Sequence, residues 1–398
     1  MEGKRFIRTL RLENFLSYGS DSEEIELQPL NVLIGANTSG KSNLIEAIGI
    51  LKATPTDLPA PFRQGGGVSE FLWKGEQETP VAKIEATVNY PEGLQPLHYQ
   101  LMFTSTRGRL DLIDEVIEEN QYQNSVNNIL SSYYRYNSGY PDLMVQKGNY
   151  LQPHGNYIHP DNLMPDQSIL SQRKDPELYP ELSYLGSQFS TIGLYREWHL
   201  GRNSEIKKNQ KPDLPAMYLL EDGSNLGIFL NNLKIKINRE IVEKLKKFYD
   251  KFEDFNVNIY GGTVQIFIRE EGVIQPIPAN RLSDGTLRYL FLMALLLDPT
   301  PPPLICIEEP EIGLHPDILP TIVEMLIDAS QRTQIIITTH SDALVSALNE
   351  YPESVLICER NEKGSHLRRL EPDRLKNWLE KYTLGDLWRM GEIGGNRW

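Results

Sequence analysis

One eight-residue pattern constrains the fold of this chain more than any other feature. Gly35 to Ser42 fits G-x-x-x-x-G-K-[ST] and follows a short, wholly apolar run, Leu30 to Ile34. Apolar residues then recur at helical spacing as far as Leu51. A glycine-rich loop between a buried strand and a helix N-terminus presents backbone N–H groups to a phosphate, with Lys41 on the phosphates and Ser42 on Mg²⁺. The predicted binding residues are Gly35, Asn37, Thr38, Ser39, Gly40, Lys41 and Ser42.

A second apolar run ends in acidic residues. Leu304 to Ile307 is followed by Glu308 and Glu309, and Glu311 lies two residues further on. Adjacent carboxylates at the carboxyl end of a buried strand repel each other unless a cation lies beside them, so Glu308 is a predicted Mg²⁺ ligand. Glu309 is then predicted to orient or deprotonate an attacking water. Glu311 is the alternative base, and a solvated acidic turn is the alternative to the whole arrangement.

Two further segments place polar groups where a phosphate can be bound. The predicted buried strand Gln334 to Thr339 ends at His340, which is predicted to contact a γ-phosphate. Leu282 to Thr286 precedes a strongly apolar helix, and Ser283 and Gly285 there form a second predicted anion site. Taken alone, His340 is more typical of a helix-capping or packing histidine, and Leu282 to Thr286 is more typical of an ordinary helix N-cap.

The composition excludes several classes of protein. The chain has 398 residues, of which 40% are hydrophobic, which predicts one elaborated domain or two. We find no apolar run long enough to cross a bilayer and no signal peptide, and we expect a cytoplasmic protein without a membrane partner. The formal charge of −14 argues against a stand-alone DNA-binding protein, since it repels the phosphate backbone.

The order of elements predicts an α/β fold with a parallel sheet core that contains the phosphate loop. Val81 to Tyr90 and Leu97 to Thr104 predict an antiparallel β subdomain beside it. A tyrosine-, asparagine- and proline-rich middle region predicts an inserted, helical and loop-rich subdomain. We divide the chain into four predicted parts. Residues 1–110 and 255–360 form the first and second parts of the head, the domain that contains the phosphate loop. Residues 111–254 form the insert or lid, and residues 361–398 form a C-terminal tail.

Together these motifs resemble the ABC-type ATPases, and more narrowly their RecF-, SMC- and OLD-like branch. Gly35 to Ser42 resembles Walker A, Leu282 to Thr286 the signature loop, Leu304 to Glu309 Walker B, Ile312 to Pro316 the D-loop and His340 the switch histidine. Leu12 to Phe15 is similar to the L-x-N-F start of RecF and SMC heads. The resemblance implies an ATPase that uses ATP and Mg²⁺ and dimerises around two ATP molecules. In that dimer Ser283 and Gly285 of one chain face the Walker A loop of the other.

This chain departs from the family pattern at two positions. Glu308 stands where transporters usually have Asp, and Asp284 replaces the first signature glycine. The family's glutamine loop, which contributes a metal ligand, is assigned to Gln167 because it precedes the helical insert. Gln64 is the alternative.

The resemblance leaves the task of the ATPase open. Long coiled-coil arms are absent, and the segment after His340 is too short for the Toprim domain of OLD-like nucleases. We therefore expect a separate nuclease-like or toxin-like effector, as in stand-alone ATPases of bacterial anti-phage defence. The alternatives are a RecF-like DNA-repair ATPase and a structural scaffold with little turnover. The basic stretch Arg196 to Lys211, with Tyr195 and Trp198, is a candidate nucleic-acid contact, for which a solvated charged loop is the alternative.

Overall fold

A computed structural model describes residues 2–75, 79–119, 132–137, 140–147, 150–153, 163–198, 201 and 204–395. Its first half contains β1 (Ile7–Glu13), β2 (Ile25–Glu26), β3 (Leu30–Ile34), α1 (Lys41–Ala53), α2 (Pro59–Gln64), β4 (Ala82–Val88), β5 (Leu97–Thr106), β6 (Arg109–Glu119), β7 (Ser132–Asn137), β8 (Tyr140–Lys147), β9 (Tyr150–Pro153), α3 (Ile169–Gln172), α4 (Pro180–Ser190) and β10 (Gly193–Tyr195). Its second half contains α5 (Leu226–Phe248), β11 (Phe252–Tyr260), β12 (Thr263–Glu270), β13 (Ile277–Pro278), α6 (Asp284–Leu296), β14 (Leu304–Glu308), α7 (Leu319–Ser330), β15 (Gln334–Thr338), α8 (Asp342–Ser346), β16 (Val355–Asn361), β17 (Gly364–Arg369), α9 (Pro372–Leu379) and α10 (Leu384–Met390).

The central sheet is the predicted one. In the described residues its order is β10-β14-β15-β3-β16-β17, and every neighbouring pair is parallel except β16 and β17. The register pairs Glu308 with Thr338 and Thr338 with Leu33, so the carboxyl ends of β14, β15 and β3 lie side by side. The loops that follow these three strands therefore meet at one edge of the sheet.

Two apolar layers cover the faces of the central sheet. Alternate residues of β3 point to opposite sides, so Val32 packs with α6 and α7, whereas Leu33 packs with α1 and the antiparallel sheet. Both side chains are fully buried. Burial on both faces explains why the central strands read as continuous apolar runs in the sequence.

The antiparallel subdomain is larger than the sequence predicts. Its order in the described residues is β2-β1-β4-β5-β6-β7-β8-β9, so the start of the segment expected to be helical instead adds strands to this sheet. Tyr133 and Tyr134 of β7 are buried against the sheet, and aromatic residues favour such half-buried strands. The helical expectation for 111–254 holds only from α3 onward.

The predicted divisions fall within regular elements. The boundary at 110 lies in β6, that at 254 in β11 and that at 360 in β16. The predicted tail is also part of the head, since β17 pairs with β16 and α10 packs against α8. Trp388 of α10 is only 8% exposed. In the part of the chain that the structure describes, no helix has the length and apolarity needed to span a bilayer.

Candidate active site

The phosphate loop joins β3 to α1 with the backbone geometry that an anion requires. Gly35, Thr38 and Gly40 all have positive φ, of 151°, 68° and 109°. The loop leads directly into the N-terminus of α1, where the helix dipole attracts anions. Asn37 and Thr38 lie exposed at its tip. The Lys41 ammonium donates to the carbonyls of Gly35 and Ala36, at 2.8 and 3.0 Å, and burial lowers its pKa.

Three side chains donate hydrogen bonds to backbone oxygens of this loop, and the sequence motifs do not predict them. The Tyr18 hydroxyl donates to Gly40 O at 3.1 Å, and Ser365 Oγ donates to Ser39 O at 2.6 Å. Cys358 Sγ donates to Ser39 O as well, at 3.1 Å. A Cβ on Gly40 would lie 2.4 Å from Ser365 Oγ, so only glycine fits there. Nothing in local spacing reveals these contacts, because they join positions far apart in the chain.

Two of the three predicted metal ligands, Ser42 and Glu308, lie together. Ser42 Oγ donates to Glu308 Oε2 at 3.2 Å. Burial raises the pKa of Glu308, and the neighbouring guanidinium of Arg196 opposes that shift. No cluster of three or more His, Cys, Asp or Glu residues suited to a metal occurs in the described ranges. A hydroxyl and one carboxylate fit Mg²⁺, which takes its remaining oxygen ligands from phosphates and water.

Glu309 and His340 face each other beside this pair. Glu309 Oε1 lies 3.8 Å from His340 Nε2, and both side chains are more than one third exposed. Burial lowers the pKa of His340, and the charge of Lys41 lowers it further. Glu309 has a positive φ of 47°, a backbone conformation that is uncommon outside glycine.

Glu311, the alternative base, is already engaged. Its Oε1 accepts hydrogen bonds from Thr339 Oγ1 at 2.7 Å and from His340 N at 2.8 Å. These bonds fix the turn between β15 and α8. Glu311 Oε2 is buried and has no hydrogen-bond partner in the described residues, whereas the Glu309 side chain is exposed.

Arg196 also lies at this site, although the sequence analysis assigned it to a nucleic-acid contact. Because β10 pairs in parallel with β14, Arg196 emerges beside Glu308. Its Nε donates to Glu308 Oε1 at 3.0 Å, and the same guanidinium pairs with Glu46 of α1. The indole of Trp198 donates to Glu308 O at 2.7 Å.

Two of the three lysines in the rest of the basic stretch also pair with acids of this chain. Lys207 pairs with Asp284 and Lys208 pairs with Glu205, while Lys211 is exposed. His199, Leu200 and Arg202 lie outside the described residues. Most of the charges assigned to nucleic acid thus balance acids of this chain instead.

The assignment of Gln167 as a metal ligand does not fit the structure. Its amide donates to Asp57 Oδ1 at 3.1 Å and accepts from Leu58 N at 3.2 Å. Both partners follow the C-terminal end of α1, whereas Ser42 lies at the N-terminal end, about 20 Å away along a 13-residue helix. Gln64, the alternative, lines the same cavity as Glu308 and Arg196.

The signature segment lies at the N-terminus of α6. Ser283 Oγ accepts from Thr286 N at 3.0 Å, and Ser283 itself is exposed. A Cβ on Gly285 would lie 2.6 Å from Gly313 O, so the D-loop backbone requires glycine there. Lys207 compensates the charge of Asp284, whose pKa is lowered chiefly by their hydrogen bond.

Solved SMC head domains share this architecture. One, an Smc head bound to the C-terminal winged-helix domain of ScpA, superposes with a TM-score of 0.58 at 14% identity, over 93% of this chain and 99% of that one. Another, the Pyrococcus furiosus Smc head with an extended coiled coil and the C-terminal domain of ScpA, gives 0.53 at 14% identity, over 94% and 99%. At such identity the similarity concerns the fold.

Two protein-family models match successive parts of the sequence. A model described as an AAA ATPase domain matches residues 6–151. A second, described as "AAA domain, putative AbiEii toxin, Type IV TA system", matches residues 156–346. These matches, with the SMC-like fold, support an ABC/RecF/SMC-like AAA ATPase. The chain is also similar to RecF, the DNA replication and repair protein of Staphylococcus haemolyticus (strain JCSC1435), with 34% identity over 106 residues. This match covers 26% of this chain and about a quarter of the relative's length.

Proposed function

We propose that this chain binds ATP with Mg²⁺ and hydrolyses it. The observation that carries the proposal is the convergence at one sheet edge of the Ser42–Glu308 pair with Glu309 and His340. Lys41 lies close enough to influence the pKa of His340. A phosphate chain bound along the loop would place its terminal phosphate among these groups.

Each residue has a distinct part in the proposed reaction. The loop N–H groups and Lys41 bind the phosphates, and Ser42 and Glu308 hold Mg²⁺, which neutralises phosphate charge. Glu309 orients the attacking water and accepts a proton from it. The Glu309 carboxylate is exposed, whereas the Glu311 carboxylate is hydrogen-bonded in the turn after β15. His340 contacts the terminal phosphate. Its lowered pKa favours the neutral ring, which can donate or accept a hydrogen bond.

We further propose that two chains enclose two ATP molecules. Ser283 and Gly285 present a helix N-terminus at the surface, and the hydrogen-bond partners of Ser283 in the described residues lie within its own helical turn. This surface binds the terminal phosphate on the second chain. ATP binding closes the homodimer, and hydrolysis opens it.

The biological task proposed is control of a separate nuclease-like or toxin-like effector in bacterial anti-phage defence. The family model for residues 156–346 supports it, because its description names an abortive-infection toxin and a toxin–antitoxin system. Cytoplasmic action follows from that task.

A nucleotide-binding and turnover experiment tests the enzymatic part. The purified chain should bind a fluorescent ATP analogue and release phosphate only with Mg²⁺. Lys41→Ala should lose nucleotide affinity, and the exposed Lys363, whose ammonium pairs with Asp21 at the surface, provides the matched Lys363→Ala control. Equal binding by both variants would contradict the assignment of the phosphate loop.

A RecF-like role in DNA maintenance is the second candidate, favoured by the 34% identity to RecF over 106 residues. It requires a local DNA-binding surface despite the net charge of −14. Titration of duplex and single-stranded DNA at increasing salt tests it, since phosphate contacts weaken steeply with salt. Tight, salt-dependent binding that changes with ATP would favour repair over control of an effector.

A further inference from the structure

The carboxylate of Glu308 is held on both of its oxygens. Oε2 accepts from Ser42 Oγ at 3.2 Å, and Oε1 accepts from Arg196 Nε at 3.0 Å. The guanidinium is fixed in turn by Glu46 on α1. One oxygen therefore faces the hydroxyl that would share a metal with it, while the other is bound by a cation of the chain itself.

A glutamate at this position needs partners that hold its carboxylate in place. The glutamate side chain has one more rotatable bond than the aspartate side chain, so an unrestrained glutamate carboxylate samples more orientations and loses more entropy when it binds a metal. Glu308 is also largely buried, and the hydroxyl of Ser42 and the guanidinium of Arg196 each hold one of its carboxylate oxygens.

The backbone beneath Glu308 is restrained as well. Trp198, two residues after Arg196, donates its indole N–H to Glu308 O. The same indole lies under the guanidinium of Arg288 on α6, with the charge centre 3.9 Å from the ring centroid. The segment after β10 thus contacts both the side chain and the backbone of Glu308.

We propose that Arg196 is a positioning residue for the metal site, one that turns Glu308 Oε2 toward Ser42. The inference rests on the proposed Mg²⁺–ATP function. Arg196 does not itself bind the metal, because its guanidinium lies on the opposite carboxylate oxygen and is anchored by Glu46. Hydrogen-bonding partners that orient metal ligands commonly contribute about 10- to 100-fold to metal affinity.

Metal and nucleotide affinities measured separately test this role. Arg196→Gln should weaken Mn²⁺ binding to the complex with a non-hydrolysable ATP analogue by about tenfold or more. Its affinity for the same analogue in EDTA should stay within about twofold of the wild type, since the phosphate loop is intact. Arg196→Lys should recover part of the loss, because the charge remains and the fork geometry does not.

Control variants distinguish the loss of a positioning role from a folding defect. Arg239→Gln removes an exposed guanidinium that pairs with Glu243 on α5, and it should leave both affinities unchanged. Glu46→Gln should weaken Mn²⁺ binding in the same direction as Arg196→Gln but by less. The melting temperature of each variant identifies one that fails to fold, and Arg196→Lys then provides the test.

The remaining outcomes overturn the proposal. Tighter Mn²⁺ binding by Arg196→Gln would mean that the guanidinium competes with the metal. If Arg196→Gln weakened binding of the ATP analogue equally with and without metal, Arg196 would be a direct phosphate ligand. If neither affinity changed, the ion pair between Arg196 and Glu308 would be purely structural. A wild-type chain that binds neither nucleotide nor Mn²⁺ would instead refute the proposed function.

Discussion

Glu309 and His340 face each other across the ends of two neighbouring parallel strands, with Oε1 and Nε2 3.8 Å apart. The parallel pairing of β14 with β15 produces this arrangement, because it places both strand ends at the same level. The gap is too long for a hydrogen bond. A water or a phosphate oxygen between the two side chains could bind both.

The first prediction concerns the base. Glu309→Gln should retain ATP and Mg²⁺ binding while phosphate release slows by about 100-fold or more, the usual effect of losing a general base. Single-turnover kinetics separate the chemical step from binding. Glu311→Gln is the matched control, since its amide oxygen can still accept the bonds from Thr339 and His340. A larger loss of turnover in Glu311→Gln than in Glu309→Gln would reverse the assignment.

The second prediction concerns shared sites. Ser283→Arg and Lys41→Ala should each be inactive alone, because one blocks the signature surface and the other impairs the phosphate loop. Mixed heterodimers contain one composite site with two intact halves, so part of the ATPase activity should return. Subunit exchange is followed by fluorescence energy transfer. No recovery despite exchange, or a monomer that turns over ATP, would contradict the sandwich arrangement.

The third prediction concerns the acidic signature residue. Lys207→Ala exposes the charge of Asp284 on the surface proposed to face the partner's ATP. Like charges brought together at an interface cost several kcal/mol, so turnover should fall by about tenfold or more. Lys207→Ala combined with Asp284→Gly should restore it, because no uncompensated acid remains. Lys208→Ala, an exposed lysine beside it, is the control. If the double variant did not recover ATP turnover, Lys207 would have a role other than compensating the charge of Asp284.

The fourth prediction concerns stability and pH. His98 lies on the antiparallel sheet with Glu118 at 3.3 Å and Glu85 at 3.7 Å. Burial alone lowers its pKa, but the two carboxylates outweigh that effect and raise it from the ordinary 6.5 to about 9. A raised pKa in the folded state means that the stabilisation is complete below pH 6.5 and is lost as the pH rises through 9.

Replacing the imidazole should remove this pH dependence. His98→Gln should lower the free energy of unfolding by about 1–3 kcal/mol at pH 6 and by much less at pH 9.5. Urea unfolding at several pH values measures it. Glu118→Gln should move the loss of stability to lower pH, because one of the two supporting carboxylates is gone. An equal effect of His98→Gln at both pH values would exclude this origin.

The sequence by itself determined the parts of the site that are local in the chain. The phosphate loop needs glycines, lysine and serine at fixed spacing between a strand and a helix. The acidic strand end and His340 each follow a continuous apolar run. Such patterns are readable because strands buried on both faces must be apolar throughout, and because the chemistry immediately follows their ends.

Only the tertiary structure decided which distant groups meet at that edge. Arg196 emerges beside Glu308 because the three-residue strand β10 pairs with β14, and nothing in its local sequence specifies that neighbour. For the same reason Gln167 lies at the far end of α1, although its position in the chain suggested a metal ligand. Local periodicity records which faces are buried, whereas the choice of partner strand depends on how the whole chain satisfies its backbone hydrogen bonds and packs its core.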